Sequence, residues 1–511
     1  MAEWTGGYVA DLGYTYGYYG ELNPLATRLL LLAAGLACPK IETACELGFG
    51  QGVGINLHAA GTRVQWHGAD FNPAQAAHAR GLAEASSADL QLNDESFEQF
   101  ATRQDLPGFD FIGLHGIWSW VSEQNRKTIV RLIEQHLNPG GVVYVSYNTQ
   151  PGWAAMLPLR EWMTRYVQTE LPSGQALPER IDQALDFVDK LLGSEPRYLA
   201  ANPGMAERVG ALRQLSRSYL AHEYFNRDWH PMTFAAMAES LAEAKLNFAC
   251  SAFALDNVDA IHLTAQQSAI LQEIKDDVLR QTTRDFMVNQ QFRRDYWVKG
   301  TRRLNLEQQT RQLDALRVVL VQPAKNVQLT VKGALGEASL QEDVYRPLLA
   351  VLSDHQPHYV RELRQLPNGR AITTGVLLQA LVVLAGKGAV SVAQEDEATE
   401  QAQESSQRLN QHLMAQARGS GDIQFLSSPV TGGGIPVGRL QQLFAAAMSS
   451  GISDAEGLAA YVWEIFAAQG AKVNRDGQAL ESAEDNQAEL LRLARIFLDE
   501  QWPLLKALRI V

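Results

Sequence analysis

Between residues 46 and 54 the chain reads Glu-Leu-Gly-Phe-Gly-Gln-Gly-Val-Gly, and Asp70 follows at the end of the next apolar segment. Glycines at every second position remove side chains from a loop that must turn tightly and lie against a ligand. A carboxylate about 20 residues further on, in a doubly wound fold, stands where it can accept hydrogen bonds from both ribose hydroxyls. The dinucleotide fingerprint Gly-x-Gly-x-x-Gly is not met: counted from Gly48 its third slot holds Val53, and counted from Gly50 it holds Ile55. Glu46 would also add negative charge beside a pyrophosphate, whereas it complements the cationic methionyl end of S-adenosylmethionine. The pattern implies a nucleoside cofactor without phosphates, with methyl transfer as its chemistry.

The elements that must position these residues follow from periodicity. Ile41 to Leu47 reads as a strand ending in the glycine loop, and Val53 to Ala60 as the helix after it. Val64 to Asp70 is a second strand, after which Asn72-Pro73 supplies an N-cap and a first-turn proline for a helix over Pro73 to Ala85. Leu90 to Leu92, Phe109 to Leu114 and Val142 to Tyr147 read as three further strands. Ser122 caps a helix over Glu123 to Leu137, where Ile129, Ile133 and Leu137 share one face. Such alternation predicts an α/β, Rossmann-like domain with a parallel sheet and helices on both faces.

Ligands of such sheets bind beyond the C-terminal strand ends. Glu46, Gly48, Gly50, Gly52, Asp70, Phe71, Asp94, Ser96 and His115 are therefore the expected cofactor-binding residues. Asp94 is expected to accept the adenine amino group, with Phe97 near the ring; its bland alternative is a helix cap. Tyr8, Tyr14, Tyr16, Tyr18 and Tyr19 join the loops Leu114 to Trp120 and Tyr147 to Trp153 in an aromatic surround, whose bland alternative is ordinary core. From this set Tyr18, His115, Trp118 and Asn148 are expected to position the acceptor. Aromatic walls desolvate an amine and bind its methylated cationic forms, and a nearby sulfonium lowers a lysine pKa. No Asn-Pro-Pro-Tyr or Asp-Pro-Pro-Tyr follows the fourth strand, which disfavours adenine or glutamine N-methylation. His115 is either a base for an oxygen acceptor or a support for its loop.

At 511 residues and 46% hydrophobic content the chain holds three or four globular domains. Its net charge of −13 argues against a broad nucleic-acid surface. Three cysteines, Cys38, Cys45 and Cys250, form no CxxC, so a reducing cytoplasm is expected. The apolar run Leu29 to Cys38 is too short to span a bilayer and reads as a buried helix. His222-Glu223 is not a metalloprotease motif, because Asn226 occupies the place of the second histidine, and no metal is expected.

His115 to Val121 and Tyr144 to Trp153 resemble a bacterial family of class I methyltransferases that carry a methyltransferase regulatory domain. Its members include rickettsial lysine methyltransferases of outer-membrane proteins. Tyr219 to Phe225, Trp229 to Phe234 and Ser428 to Ile435 extend the resemblance over nearly the whole chain. It implies S-adenosylmethionine as methyl donor and protein lysine as acceptor. Phe49 stands where such enzymes usually carry Cys, and Trp118 where Tyr is expected. A small-molecule O- or N-acceptor, or a non-catalytic cofactor-sensing protein, are the alternatives. A homodimer stands as the candidate assembly.

The expected domains are a cofactor-binding domain over 1–156, a helical connection over 157–215, the regulatory domain over 216–302, a winged-helix-like domain over 303–393 and a helical region over 394–511. Leu246 to Phe253 and Arg294 to Lys299 read as strands that either complete the catalytic sheet or belong to the regulatory domain alone. Val344 to Ser353, Tyr359 to Leu366 and Thr374 to Lys387 precede Ala389 to Val392 in a helix-helix-helix-strand order. The third of these carries only Lys387, so protein contact is favoured over DNA reading. Ala393 to Gln407 reads as a linker or solvated helix. Gly432 to Gly434 lacks the Lys-Ser/Thr of a phosphate loop and reads as a turn. Beyond it, Leu440, Phe444 and Met448 share the face of an amphipathic helix.

Overall fold

The computed structural model describes residues 15–365, 369 and 371–511, so Tyr8 and Tyr14 lie outside the described residues. Five parallel strands form the first part of the sheet: β1 (Thr43–Leu47), β2 (Gln65–Asp70), β3 (Leu90–Asp94), β4 (Phe109–Leu114) and β5 (Leu137–Asn148). The apolar run near the start becomes helix α1 (Ala26–Ala33), and the helices after β1 and β2 are α2 (Val53–Gly61) and α3 (Pro73–Ser86). Asn72 caps α3 through its side-chain oxygen, as its sequence suggests. Short α4 (Phe97–Ala101) follows β3, and α5 (Glu123–His136) follows β4 behind its Ser122 cap.

Two strands from the regulatory segment, β6 (Leu246–Ser251) and β7 (Phe292–Lys299), complete the catalytic sheet. The strand order is β3-β2-β1-β4-β5-β7-β6, with β7 antiparallel to both neighbours. The helix Phe234–Ala242 buries Phe234, Met237 and Leu241 in the same core as Ile129 and Ile133 of α5. The regulatory segment is thereby part of the catalytic layer.

Helices Leu157–Thr169, Leu177–Gly193, Met205–Leu212 and Arg217–Tyr224 share a separate small core around Met163, Leu185, Val209 and Leu220. In the expected winged-helix region, a three-stranded sheet (His358–Tyr359, Arg317–Leu320, Val390–Ala393) packs against helices Glu342–Val351 and Thr374–Gly386. The middle helix expected there is a short 3₁₀ turn, Val360–Arg364.

Of the two readings of Ala393 to Gln407, the helix is the one found, as the first part of a 21-residue helix, Asp396–Gln416, but it is docked on α2 and α3 rather than solvated. Ser405 and Ser406 each donate to the Ala60 carbonyl at the end of α2, at 2.7 and 3.0 Å. Val53, Leu57 and Ala60 of α2 share one apolar core with Leu409, Phe444 and Leu458. Phe444 is buried, and Leu440 and Met448 pack beside it. Among the described residues no helix is long and apolar enough to cross a membrane.

Candidate functional site

The strand order reverses between β1 and β4, and a crevice opens beyond their C-terminal ends, as the architecture demands. The glycine loop forms its floor. Gly52 adopts φ +72° as the N-cap of α2, and a Cβ there would stand 2.3 Å from the Cβ of Ala79. Gly48 adopts φ +73° and faces Ile117, whose Cδ1 would lie 2.2 Å from an added Cβ. Two of the three glycines thus serve close packing as well as the ligand face. The third, Gly50, donates its N–H to Asp70 Oδ2 at 2.8 Å.

Asp70 accepts a second backbone N–H, from Asn72, on Oδ1 at 2.9 Å. Each oxygen keeps a free lone pair for a further donor. Burial pushes the Asp70 carboxyl up to about 6, although the Asn72 and Gly50 N–H groups pull it down. Glu46, at the end of β1, is only 5% exposed, and its Oε2 has no hydrogen-bond partner among the described residues. Burial, reinforced by the negative charge of Asp70, pushes its carboxyl up to about 8. A buried carboxylate with an unmet oxygen, lining a crevice, suits a cationic amino group.

His115 lies at the end of β4. Its ring stacks on Tyr19 with centroids 3.4 Å apart, and Nδ1 is 2.7 Å from the Tyr144 hydroxyl. Burial, with Arg294 adding to it, pushes the imidazole down to about 3, so it is neutral and a poor proton acceptor at pH 7. The structure therefore favours His115 as a wall and loop support. Gly116 donates its N–H to Ser146 Oγ at 2.8 Å and ties this loop to β5.

Glu46, Gly48, Gly50, Gly52, Asp70, Phe71, Ser96, Phe97 and His115 all line the crevice. Asp94 does not: it is exposed, and the next residue, Glu95, takes the place. Glu95 accepts from Arg103 Nη1 at 2.9 Å while its Oε2 is buried and unmet.

Three of the four residues expected to position the acceptor lie elsewhere. Tyr18 packs on His58 and Phe425, at 5.2 and 5.0 Å, against Gly433 and Gly434, which open the strand Gly433–Pro436 rather than forming the expected turn. Its neighbour Tyr19 is the one at the crevice, because successive side chains of an extended segment point to opposite sides. Trp118 is fully buried with Nε1 3.2 Å from Met232 Sδ, and Trp120 lines the crevice instead. Asn148 is buried at the end of β5, its backbone N–H bonded to Ser119 Oγ at 2.8 Å. Tyr16 meets His78 edge-on, 5.2 Å away. Asp228, from the regulatory segment, also reaches the crevice, and no local signal in the sequence marks it.

Residues 44–141 match the family described as "Methyltransferase domain", and residues 216–299 match "Predicted methyltransferase regulatory domain". An uncharacterized protein of Synechocystis sp. is 39% identical over 512 residues, covering 99% of both chains. An uncharacterized protein of Rickettsia prowazekii is 32% identical over 218 residues, which is 40% of this chain and 82% of that one. Among solved structures, PKMT2 from Rickettsia typhi in complex with AdoHcy superposes with a TM-score of 0.68 at 18% identity, over 95% of this chain and 98% of that one. A second PKMT2 structure gives a TM-score of 0.65 at 17% identity. At this identity the likeness speaks for the fold, and it extends across all the domains.

Proposed function

We propose, from the premise that this chain belongs to the family of S-adenosylmethionine-dependent methyltransferases carrying a methyltransferase regulatory domain, that it methylates lysine side chains of a protein substrate. When bound, S-adenosylmethionine supplies an electrophilic methyl group on a sulfonium. The crevice suits that cofactor. Glu46 would take the amino group, Asp70 the ribose hydroxyls, and Phe71 and Phe97 would flank the adenine, with Glu95 and Ser96 beside them. The AdoHcy bound to the similar PKMT2 supports S-adenosylmethionine as the cofactor.

The observation that carries the lysine reading is the wall of neutral aromatic groups that lines this crevice. Tyr19, stacked on a neutral His115, and Trp120 form it. The rim beyond is exposed at Thr15 and Ser96, as a protein-borne side chain entering from outside requires. Such a wall excludes water from an amine nucleophile and supplies no strong base, which methyl transfer to a neutral amine does not need. Positioning can then supply much of the rate. Asp228, from the segment matching the regulatory family, lines the same crevice, which supports a part for that segment in meeting the acceptor.

The test is transfer of radiolabelled methyl groups from S-adenosylmethionine into protein extracted from the source cells, followed by hydrolysis to amino acids. Label in N-methylated lysines is expected. Label confined to small molecules would overturn the reading in favour of a metabolite acceptor. Cofactor binding with no transfer would overturn it in favour of a sensing role.

A further inference from the structure

A second cavity, of about 780 Å³, shares no lining residue with the crevice. Its volume is that of a small-molecule site. Its charged lining comes entirely from the segment that matches the regulatory family: Asp256 and Asp259 after β6, Arg280 and Arg284 of the helix Asp277–Val288, and Arg293 and Asp295 of β7. Leu30 of α1, Leu271, and Leu378 and Val382 of the helix Thr374–Gly386 add apolar surface.

Two of the charged groups keep bonding capacity that the fold does not use. Arg284 is only 8% exposed. Its Nε donates to Asp259 Oδ1 at 3.1 Å and its Nη2 to the Asp256 carbonyl at 2.7 Å, while Nη1 donates to no group among the described residues. Asp295 is 1% exposed. Its Oδ2 accepts from the Tyr147 hydroxyl and from Arg293 Nε, each at 2.9 Å, and its Oδ1 is buried with no partner among the described residues. Buried polar atoms that serve stability alone are paired, because an unmet one costs about 1–3 kcal/mol. The two groups are also held together. Arg293, bonded to Asp295, reaches the helix Asp277–Val288 through Asp285 at 2.6 Å and Gln281 at 3.1 Å, which are the neighbour of Arg284 and a residue one turn before it.

The chemistry that fits is dipolar. Three acids beside three arginines leave the lining without net charge, which disfavours a polyanion or a polycation. A spare guanidinium N–H suits a carboxylate, and an unmet carboxylate oxygen suits an ammonium. The four apolar residues offer a place for an apolar side chain. We propose that this cavity is a second small-molecule site that takes a free α-amino acid with an apolar side chain, its carboxylate on Arg284 and its ammonium on Asp295. The site goes beyond methyl transfer and stands independently of the lysine reading.

The experiment uses the full chain saturated with S-adenosylhomocysteine, so that the crevice is filled. Its thermal midpoint is measured with each proteinogenic L-amino acid in turn at about 5 mM, where a ligand of the folded state raises the midpoint. Apolar amino acids such as leucine or phenylalanine should raise it most, and calorimetric titration of the best should saturate at one per chain. Its amide and its N-acetyl form, each lacking one charge, should bind at least roughly tenfold more weakly. Arg284→Gln should weaken the amino acid by about the same factor. Leu378→Trp, which leaves every charged group in place and fills the apolar part of the cavity, should weaken it as well. In both variants the S-adenosylhomocysteine affinity, which reports a folded chain, should be unchanged.

No rise with any amino acid, or a rise confined to the acidic or basic ones, overturns the inference. Binding that Leu378→Trp leaves intact, or that the amide and N-acetyl forms share equally, overturns it too, by placing the ligand elsewhere or by removing its two-ended recognition.

Discussion

Glu46 and Asp70 make the crevice a proton-holding site. With Glu46 pushed up to about 8, the free protein carries a proton there at pH 7, and a cationic amino group beside it favours the ionised form. Binding must then expel the proton, so cofactor affinity rises with pH up to about 8, where the ligand's own α-amino group begins to lose its charge. Calorimetric titration with S-adenosylmethionine at pH 7 in two buffers of different ionisation enthalpy should reveal the release. Glu46→Gln should abolish the release, flatten the profile and weaken binding. Identical heats in both buffers would contradict the assignment. Asp70→Asn tests the other acid: an amide nitrogen would face a backbone N–H of Gly50 or Asn72, leaving a buried donor unmet at a cost of about 1–3 kcal/mol. Its cofactor affinity should fall at least tenfold by the same titration. At this scale the sequence was legible wherever a residue type was decisive, as for Glu46 and Asp70, and illegible wherever direction was. Tyr18 and Tyr19, or Asp94 and Glu95, are equal in type, and only the local backbone decides which of each pair faces the ligand.

The turn between β1 and α2 and the strand β7 each hold a device that a single substitution should break. Gly52 has a left-handed backbone and a Cβ position 2.3 Å from Ala79. Gly52→Ala therefore meets a left-handed penalty of about 1–2 kcal/mol plus the displacement of α3. Urea unfolding should show a loss of at least that size, with cofactor binding reduced in parallel. In β7, fully buried Arg293 bonds Asp285 at 2.6 Å and Asp295 at 2.9 Å, and Tyr147 of β5 donates to Asp295 at 2.9 Å. Arg293→Met strands two buried carboxylates, and a loss of about 3–5 kcal/mol is expected. The sign with pH is fixed, because burial already pushes Asp285 up to about 6, above its unfolded value. The folded state binds more protons than the unfolded one between the two values, so the variant should recover stability as pH falls from 7 to 5. Sequence periodicity located these elements to within a few residues, since strands such as Phe109 to Leu114 alternate cleanly with capped helices. It could not say where β6 and β7 pair, because strand pairing is a long-range choice that no local pattern encodes.

Across the whole molecule, cores join what sequence boundaries divide. The catalytic sheet needs the regulatory strands to cover β5, and α2 needs the C-terminal helices to cover Val53 and Leu57. Expressed alone, residues 1–156 should therefore aggregate, with no dispersed amide spectrum, whereas the full chain should stay in solution. A well-folded isolated fragment would contradict this account. Removing residues 394–511 should have a similar effect through the exposed face of α2. The Gln- and Glu-rich stretch after Ala393 gave no sign of this in its composition, because it docks through small groups such as Ser405 and Ser406, and the apolar anchors Leu409 and Leu413 come only after it.

The late arrival of β7 has a further consequence, for synthesis on the ribosome. The chain emerges in order, so the edge of β5 has no neighbour until the segment reaching Lys299 is made. At about 5–20 residues per second that interval lasts on the order of 10 s, long compared with collapse or helix formation. A nascent strand bearing Val143, Val145 and Tyr147 is left bare through that time, a ready target for chaperone capture. Ribosome profiling of chaperone-bound nascent chains should find occupancy beginning after β5 has emerged and ending once β7 has.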